Sequence, residues 1–236
     1  RTPTSTPTIT PTPTPPLAVL RIHRPGLFSK VTSPFRAEVM VAPGDDGWVQ
    51  LDLLGEDGRH IVAEQMDYRN STGRHFWISP MVQFSITAAA ETSRLVISTH
   101  DLFGRTVTLS SVDLILLAVG ENEINPAVGD QEPYLVRSPR PEQVVQGGTL
   151  TVSGLARPVN DQPLILELID EYRAVVGSAQ IQVPPPSGDL SHTPFQVDIP
   201  YSVGITTPVR LTLRQESAGR IPGTVSLSSM LLVLEP

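Results

Sequence analysis

The sequence of 236 residues predicts an all-β chain of two β-sandwiches in tandem. Three observations carry that expectation. Apolar residues alternate with polar ones over short runs, glycine- and aspartate-rich turns separate the runs, and the whole pattern is written twice, about 115 residues apart. Val49, Leu51 and Leu53 alternate with Gln50 and Asp52; at an offset of 115, Leu164, Leu166 and Leu168 flank Ile165 and Glu167. Phe35, Ala37 and Val39 correspond in the same way to Leu150, Val152 and Gly154, and Gly104-Arg105 to Gly219-Arg220. The closing runs match most closely, Val107-Thr108-Leu109-Ser110-Ser111 against Val225-Ser226-Leu227-Ser228-Ser229. A repeat of domain size means tandem copies of one fold. Alternation of period two puts each apolar set on one face of a strand.

Residues 1–16 are almost entirely Thr, Pro and Ser. Pro3, Pro7, Pro11, Pro13, Pro15 and Pro16 remove backbone donors and fix φ, which excludes a helix or a central strand. An extended stalk is expected, reaching roughly 50 Å at about 3.1 Å per residue. Thr2, Thr4, Ser5, Thr6, Thr8, Thr10, Thr12 and Thr14 are candidate O-glycosylation sites. The same tail could instead be a plain linker, or dock on a neighbouring subunit by strand addition. A chain that opens inside such a tract suggests a mature product whose targeting segment lay upstream.

The first sandwich is expected over 17–120. An entering strand around Ala18, Leu20 and Ile22 halts at Pro25-Gly26, and strands follow near 35–41, 48–54, 59–65, 76–87, 94–99 and 106–118. Pro43-Gly44-Asp45-Asp46-Gly47, Glu56-Asp57-Gly58 and Ser71-Thr72-Gly73 supply the turns between them, since Asp-Gly accommodates positive φ. Residues 121–133 are polar, acidic and rich in proline, and read as an interdomain linker. The second sandwich is expected over 134–236, with strands near 134–137, 149–156, 164–170, 173–183, 195–199, 208–215 and 223–234. Seven short alternating strands per copy are the pattern of a sandwich.

Composition closes several functional classes. Net charge of −7 and a pI near 5.2 argue against nucleic acid as a partner, because phosphate contact needs clustered Lys and Arg. Lys30 is the sole lysine. With no cysteine there is no disulfide framework, thiolate metal site or cysteine nucleophile. No run approaches the roughly 20 apolar residues of a membrane span; the longest candidate, Val112 to Val119, is interrupted by Asp113.

The second copy resembles a known family. Pro139-Arg140-Pro141, the run Leu150-Thr151-Val152-Ser153-Gly154-Leu155-Ala156, Leu164 to Asp170, Pro194-Phe195-Gln196-Val197 and the Arg214-to-Arg220 stretch are similar to the bacterial immunoglobulin-like domain of spore-germination proteins. Tyr172-Arg173 stands where that family has a glycine-containing turn, and Phe35 to Val41 lacks its Ser-Gly pair. The resemblance implies two immunoglobulin-like sandwiches in an envelope-associated protein, and carries no catalytic residues or cofactor.

Chemistry-bearing groups are sparse. His100-Asp101 suits a strand cap better than a catalytic pair, and Gly-x-Ser-x-Gly and phosphate-cradling glycine loops are absent. Glu121, Glu123, Asn125 and Asp130, with Asn122, offer hard oxygen ligands within ten residues, a candidate calcium set. Trp48, Tyr68, Arg74, His75 and Trp77 are the candidate contact residues for a sugar or protein partner, against the alternative that these rings close the core. The expected function is a non-enzymatic extracellular structural or adhesive protein, a cell-surface or filament subunit of a prokaryotic envelope. Its partners would be copies of itself, other cell-surface proteins or glycans, with no cofactor. The alternative is a carbohydrate- or peptidoglycan-binding accessory module.

Overall fold

A computed structural model describes residues 15–184 and 191–236. The stalk and its glycosylation candidates up to Thr14 lie outside the described residues. The chain is an all-β protein of two immunoglobulin-like sandwiches. The first contains β1 (Arg21–Arg24), β2 (Lys30–Thr32), β3 (Phe35–Arg36), β4 (Glu38–Val41), β5 (Trp48–Leu54), β6 (His60–Asp67), β7 (Phe76–Ile78), β8 (Met81–Val82), β9 (Ala90–His100) and β10 (Thr106–Leu117). The second contains β11 (Tyr134–Ser138), β12 (Val144–Val145), β13 (Thr149–Ala156), β14 (Leu164–Ile169), β15 (Val175–Ile181), β16 (Thr193–Pro200), β17 (Thr207–Glu216) and β18 (Thr224–Leu234). The single strand expected over 76–87 is two short ones, because Pro80 interrupts the run and cannot donate to a ladder.

Each sandwich has its own core. In the first, Val49, Leu51 and Leu53 of β5 pack with Leu95 and Ile97 of β9 and Leu114 and Leu116 of β10 beneath the small sheet β1-β4-β7. In the second, Leu164, Leu166 and Leu168 of β14 pack with Leu211 and Leu213 of β17 and Leu232 and Leu234 of β18 beneath β11-β13-β16. Burial of each such side chain stabilises the fold by about 1.5–3 kcal/mol. Ile97 faces Leu51 as Leu213 faces Leu166, so the central strands of the two copies pair in equivalent register.

The larger sheets are one sheet. Its order is β15-β14-β17-β18-β10-β9-β5-β6, continuous through both sandwiches. The junction is β10 against β18, antiparallel, with Thr108 opposite Ser228, Leu109 opposite Leu227 and Ser110 opposite Ser226. Since the run 107–111 matches 225–229 in sequence, Leu109 faces its own counterpart and the junction is self-complementary about a local two-fold. Side chains repeat the symmetry. Ser111 Oγ donates to Val225 O at 2.8 Å, and its counterpart Ser229 Oγ donates to Val107 O at 2.7 Å.

Buried arginines complete the seam. Arg94 on β9 and its counterpart Arg210 on β17 are each under 5% exposed. Arg94 binds Asp113 on its own sandwich and donates to Ile221 O at 2.9 Å and Ser217 Oγ at 3.1 Å in the β17–β18 hairpin. Arg210 reaches the other way, to Asp101 Oδ2 at 3.0 Å in the β9–β10 hairpin. Arg105 shares that carboxylate at 2.8 Å and donates across the seam to Ile169 O at 3.1 Å. Asp101 also accepts the N–H groups of Phe103 and Arg105, the strand-capping role its position suggested.

Residues 121–133 do not separate the sandwiches as a free linker. They form a strap along the first sandwich. Lys30 and Glu123 exchange both backbone hydrogen bonds at 2.9 Å, and Thr32 N donates to Asn122 Oδ1 at 2.7 Å. A Cβ on Gly26 would meet Pro126 O at 2.3 Å, so the strap is seated against a position only glycine fits.

Burial pushes the Asp101 carboxyl up, but the Arg105 N–H and the Arg105 and Arg210 guanidiniums outweigh it and hold it below the ordinary 3.8. Asp101→Asn leaves two buried guanidiniums without their counter-charge and is expected to cost roughly 3–5 kcal/mol, read by denaturant unfolding at pH 7. Because the folded pKa is depressed, the ionised group's contribution is present above the unfolded value and is lost as pH falls through the folded one. The difference between variant and wild type therefore narrows only in acid, below about pH 4.

Candidate functional site

The ring residues singled out in the sequence are split between the two sheets of the first sandwich. Trp48 opens β5 with its side chain outward, in phase with Gln50 and Asp52, on the outer face of the large sheet. It is half-buried, with the Arg69 guanidinium 5.2 Å from the ring centroid, and Arg69 is itself paired to Asp67. Tyr68 packs edge-on against Phe76 at 5.1 Å and belongs to the margin of the core. Arg74 and His75 are exposed beside it. Tyr68 therefore takes the packing role.

Trp77 is different. It is 50% exposed on β7, directly opposite Met40 of β4, which in turn faces Arg21 of β1. The Arg21 guanidinium lies 5.6 Å from the Trp77 centroid, and His23 meets the ring edge-on at 5.5 Å. Arg21, His23 and Trp77 thus form one outward row across the small sheet. Sequence reasoning named Trp77 but missed Arg21 and His23. Their alternation around the buried Ile22 was the available signal, since it sends both outward from β1.

The calcium set does not converge. Glu123 is held by Lys30 at 2.7 Å and Asp130 by Arg21 at 2.5 Å, while Asn125 Nδ2 donates to Leu27 O at 2.8 Å. Glu121 is exposed at the start of the strap. Among the described residues no three His, Asp or Glu side chains gather as a metal site. The physical reason is the strap's extended course, which spreads its acidic groups over the face of the first sandwich and gives two of them cationic partners.

The structure adds a feature that no sequence motif announced. The seam strands, the strap and the loop after β13 enclose a cleft of about 550 Å³. Thr108, Ser110, Glu132 and Arg157 line it. Glu132 accepts from Ser228 Oγ and from Val19 N, and its backbone N–H donates to Pro16 O, which ties Pro16 to the strap. Burial raises the Glu132 carboxyl above its ordinary value, with the Ser228 and Val19 bonds opposing that shift. No helix among the described residues is long and apolar enough to cross a membrane.

No family model matches this sequence, and no curated protein matches it. Among solved structures, red sea bream transglutaminase is similar over 93% of this chain at 12% identity with a TM-score of 0.28, and the chain spans 32% of that protein's chain. At that identity and TM-score the likeness bears on neither fold nor function.

Glu132→Gln keeps an acceptor for Val19 and a partner for Ser228 while removing the buried charge. Because the folded pKa is raised, the native state of the wild type is penalised as pH rises through it. The variant is expected to melt higher than wild type at pH 8 and to converge with it near pH 4, measured by thermal unfolding across that range.

Proposed function

We propose that this protein is a non-catalytic structural or adhesive subunit of a prokaryotic cell surface, stiffened by its seam and held out by its stalk. The single observation that carries this reading is the continuous sheet, which joins two cores into one stiff plate with one long edge left open. Among the described residues β6 pairs only with β5, whereas the opposite margin, β15, is partly covered by the Gly177–Tyr201 bridge and the bond from Ser202 N to Val176 O. An open edge is a template for strand addition. The buried Arg94, Asp101, Arg105 and Arg210 each make at least one contact across the seam, which supports a mechanical use of ionic groups.

The stalk suits that edge. Up to residue 15 the prolines, Pro3, Pro7, Pro11, Pro13 and Pro15, all occupy odd positions and the threonines, Thr2, Thr4, Thr6, Thr8, Thr10, Thr12 and Thr14, even ones, a pattern that ends at Pro16. In an extended strand alternate residues direct their N–H groups to opposite sides. A strand pairing along one side only could therefore use the threonine donors and leave the proline side unpaired. The alternative fate of those threonines is O-glycosylation, which would keep the stalk free. Assignment to the immunoglobulin-like domains of spore-germination proteins and an extracellular location belong to this same proposal, supported by the motif resemblance.

Sedimentation and negative-stain imaging of the full chain test it. The expected result is concentration-dependent polymers in which residues 1–16 resist protease. A monomer at all concentrations, with a stalk removed by protease at no cost to its sedimentation, overturns it.

A second reading, a carbohydrate-binding accessory module, is favoured by one observation, the half-exposed Trp77 flanked by Arg21 and His23. A flat ring beside cationic and polar groups suits stacking on a sugar. Trp77→Ala is expected to lose retention on wall polysaccharide about tenfold while Trp48→Ala, whose ring is less exposed, keeps it. Retention unchanged in Trp77→Ala removes the reading.

A further inference from the structure

The cleft at the seam contains a cation with no anion. The other arginines withdrawn from solvent sit on carboxylates: Arg94 on Asp113, Arg105 and Arg210 on Asp101. Arg157 lines the cleft, and its Nη1 is buried with no hydrogen-bond partner among the described residues. Its backbone N–H is fixed to Pro133 O at 2.8 Å, and Nη2 makes only a long contact, 3.4 Å, to Gln131 O. It forms no ion pair with any described carboxylate. Burial without a counter-charge lowers its pKa, the sign of a desolvated and uncompensated guanidinium.

Two more residues of the same wall carry a buried donor without a partner. Thr108, 8% exposed on the seam strand, lines the cleft, and its Oγ1 has no partner among the described residues. Arg21 also lines it; Nη1 is held by Asp130 at 2.5 Å while Nε is buried and unpartnered. Buried donors are normally satisfied, so three of them in residues of one wall leave that wall short of partners. A water can serve Thr108, but an unpaired guanidinium is best matched by an oxyanion, which it binds through parallel N–H groups. The volume of about 550 Å³ lies in the range of small-molecule sites. Glu132, on the same wall, has its oxygens turned to Ser228 and Val19, and Asp113 is neutralised by Arg94.

We propose that the interdomain cleft binds a small hydroxylated organic anion, its carboxylate or phosphate seated on Arg157 with Arg21 nearby and its hydroxyls on Thr108 and Ser110. The site exists only because the two sandwiches are joined: Thr108 and Arg21 come from the first, Arg157 from the second. It is independent of self-assembly through β6, so the two ideas stand or fall separately.

Calorimetry and thermal unfolding of the full chain with glucuronate, glucose 6-phosphate and glucose test the proposal. One of the two acids, or both, is expected to bind one-to-one and raise Tm, with glucose inert; the better acid identifies the anion as carboxylate or phosphate. Arg157→Gln removes the charge and is expected to weaken that binding at least tenfold. Thr108→Val, which keeps the side chain's shape, is expected to weaken it several-fold and supplies the same readout should Arg157→Gln fail to fold. Absence of binding by both acids at millimolar concentration overturns the site. So does affinity unchanged in both variants, or glucose binding as tightly as the acids.

Discussion

The antiparallel contact of β10 with β18 is the interaction on which the rest of this structure depends. It joins equivalent strands of two copies of one fold, so Leu109 meets Leu227 and each serine of the pair Ser111 and Ser229 reaches the other copy's backbone. A self-complementary junction needs the same residues twice, since each copy presents the patch that the other receives. That requirement gives a physical reason why the closing runs 107–111 and 225–229 are the best-matched part of the repeat. Three register positions are a short seam. The reciprocal arginines extend it beyond the strands, each crossing to the hairpin of the other copy.

That extension explains where the charge of an acidic, lysine-poor chain is placed. Arginine presents several donors in a fixed plane and stays charged when buried. Arg94 uses that fan to hold Asp113, Ser217 and Ile221 O together, and Arg105 with Arg210 brackets Asp101. A lysine ammonium in either place could not span those partners. Joined side by side, the sandwiches also create a concavity between them, and the strap lines its side. The cleft is thus a by-product of the junction that brings residues more than a hundred positions apart, such as Arg21 and Arg157, to one space.

Much of the fold was legible in the residues. Alternation in Val49 to Leu53 and Leu164 to Leu168 marked the central strands and their buried faces, and Asp-Gly pairs marked the hairpins. The run 76–87 was misread as continuous because alternation persists across Pro80 although the ladder cannot. Less of the candidate site was legible. Period two says that Trp48 points outward, but not that the strands of Trp48 and Trp77 belong to different sheets, and so one contact face was expected from rings that stand on two. The acidic strap suggested calcium because composition records the ligands while omitting Lys30 and Arg21, the cations that fold back onto them.

By itself, then, the amino-acid order determined what is local or periodic: which segments extend, where they turn, which side of each is buried, and that the unit occurs twice. Those properties follow from backbone sterics and from the two-residue repeat of a strand, which neighbouring residues encode. Only the tertiary structure decided how the two units meet, which carboxylate each arginine receives, and that Arg157 receives none. Such pairings depend on distances between residues far apart in the chain, and no spacing along the polypeptide specifies them.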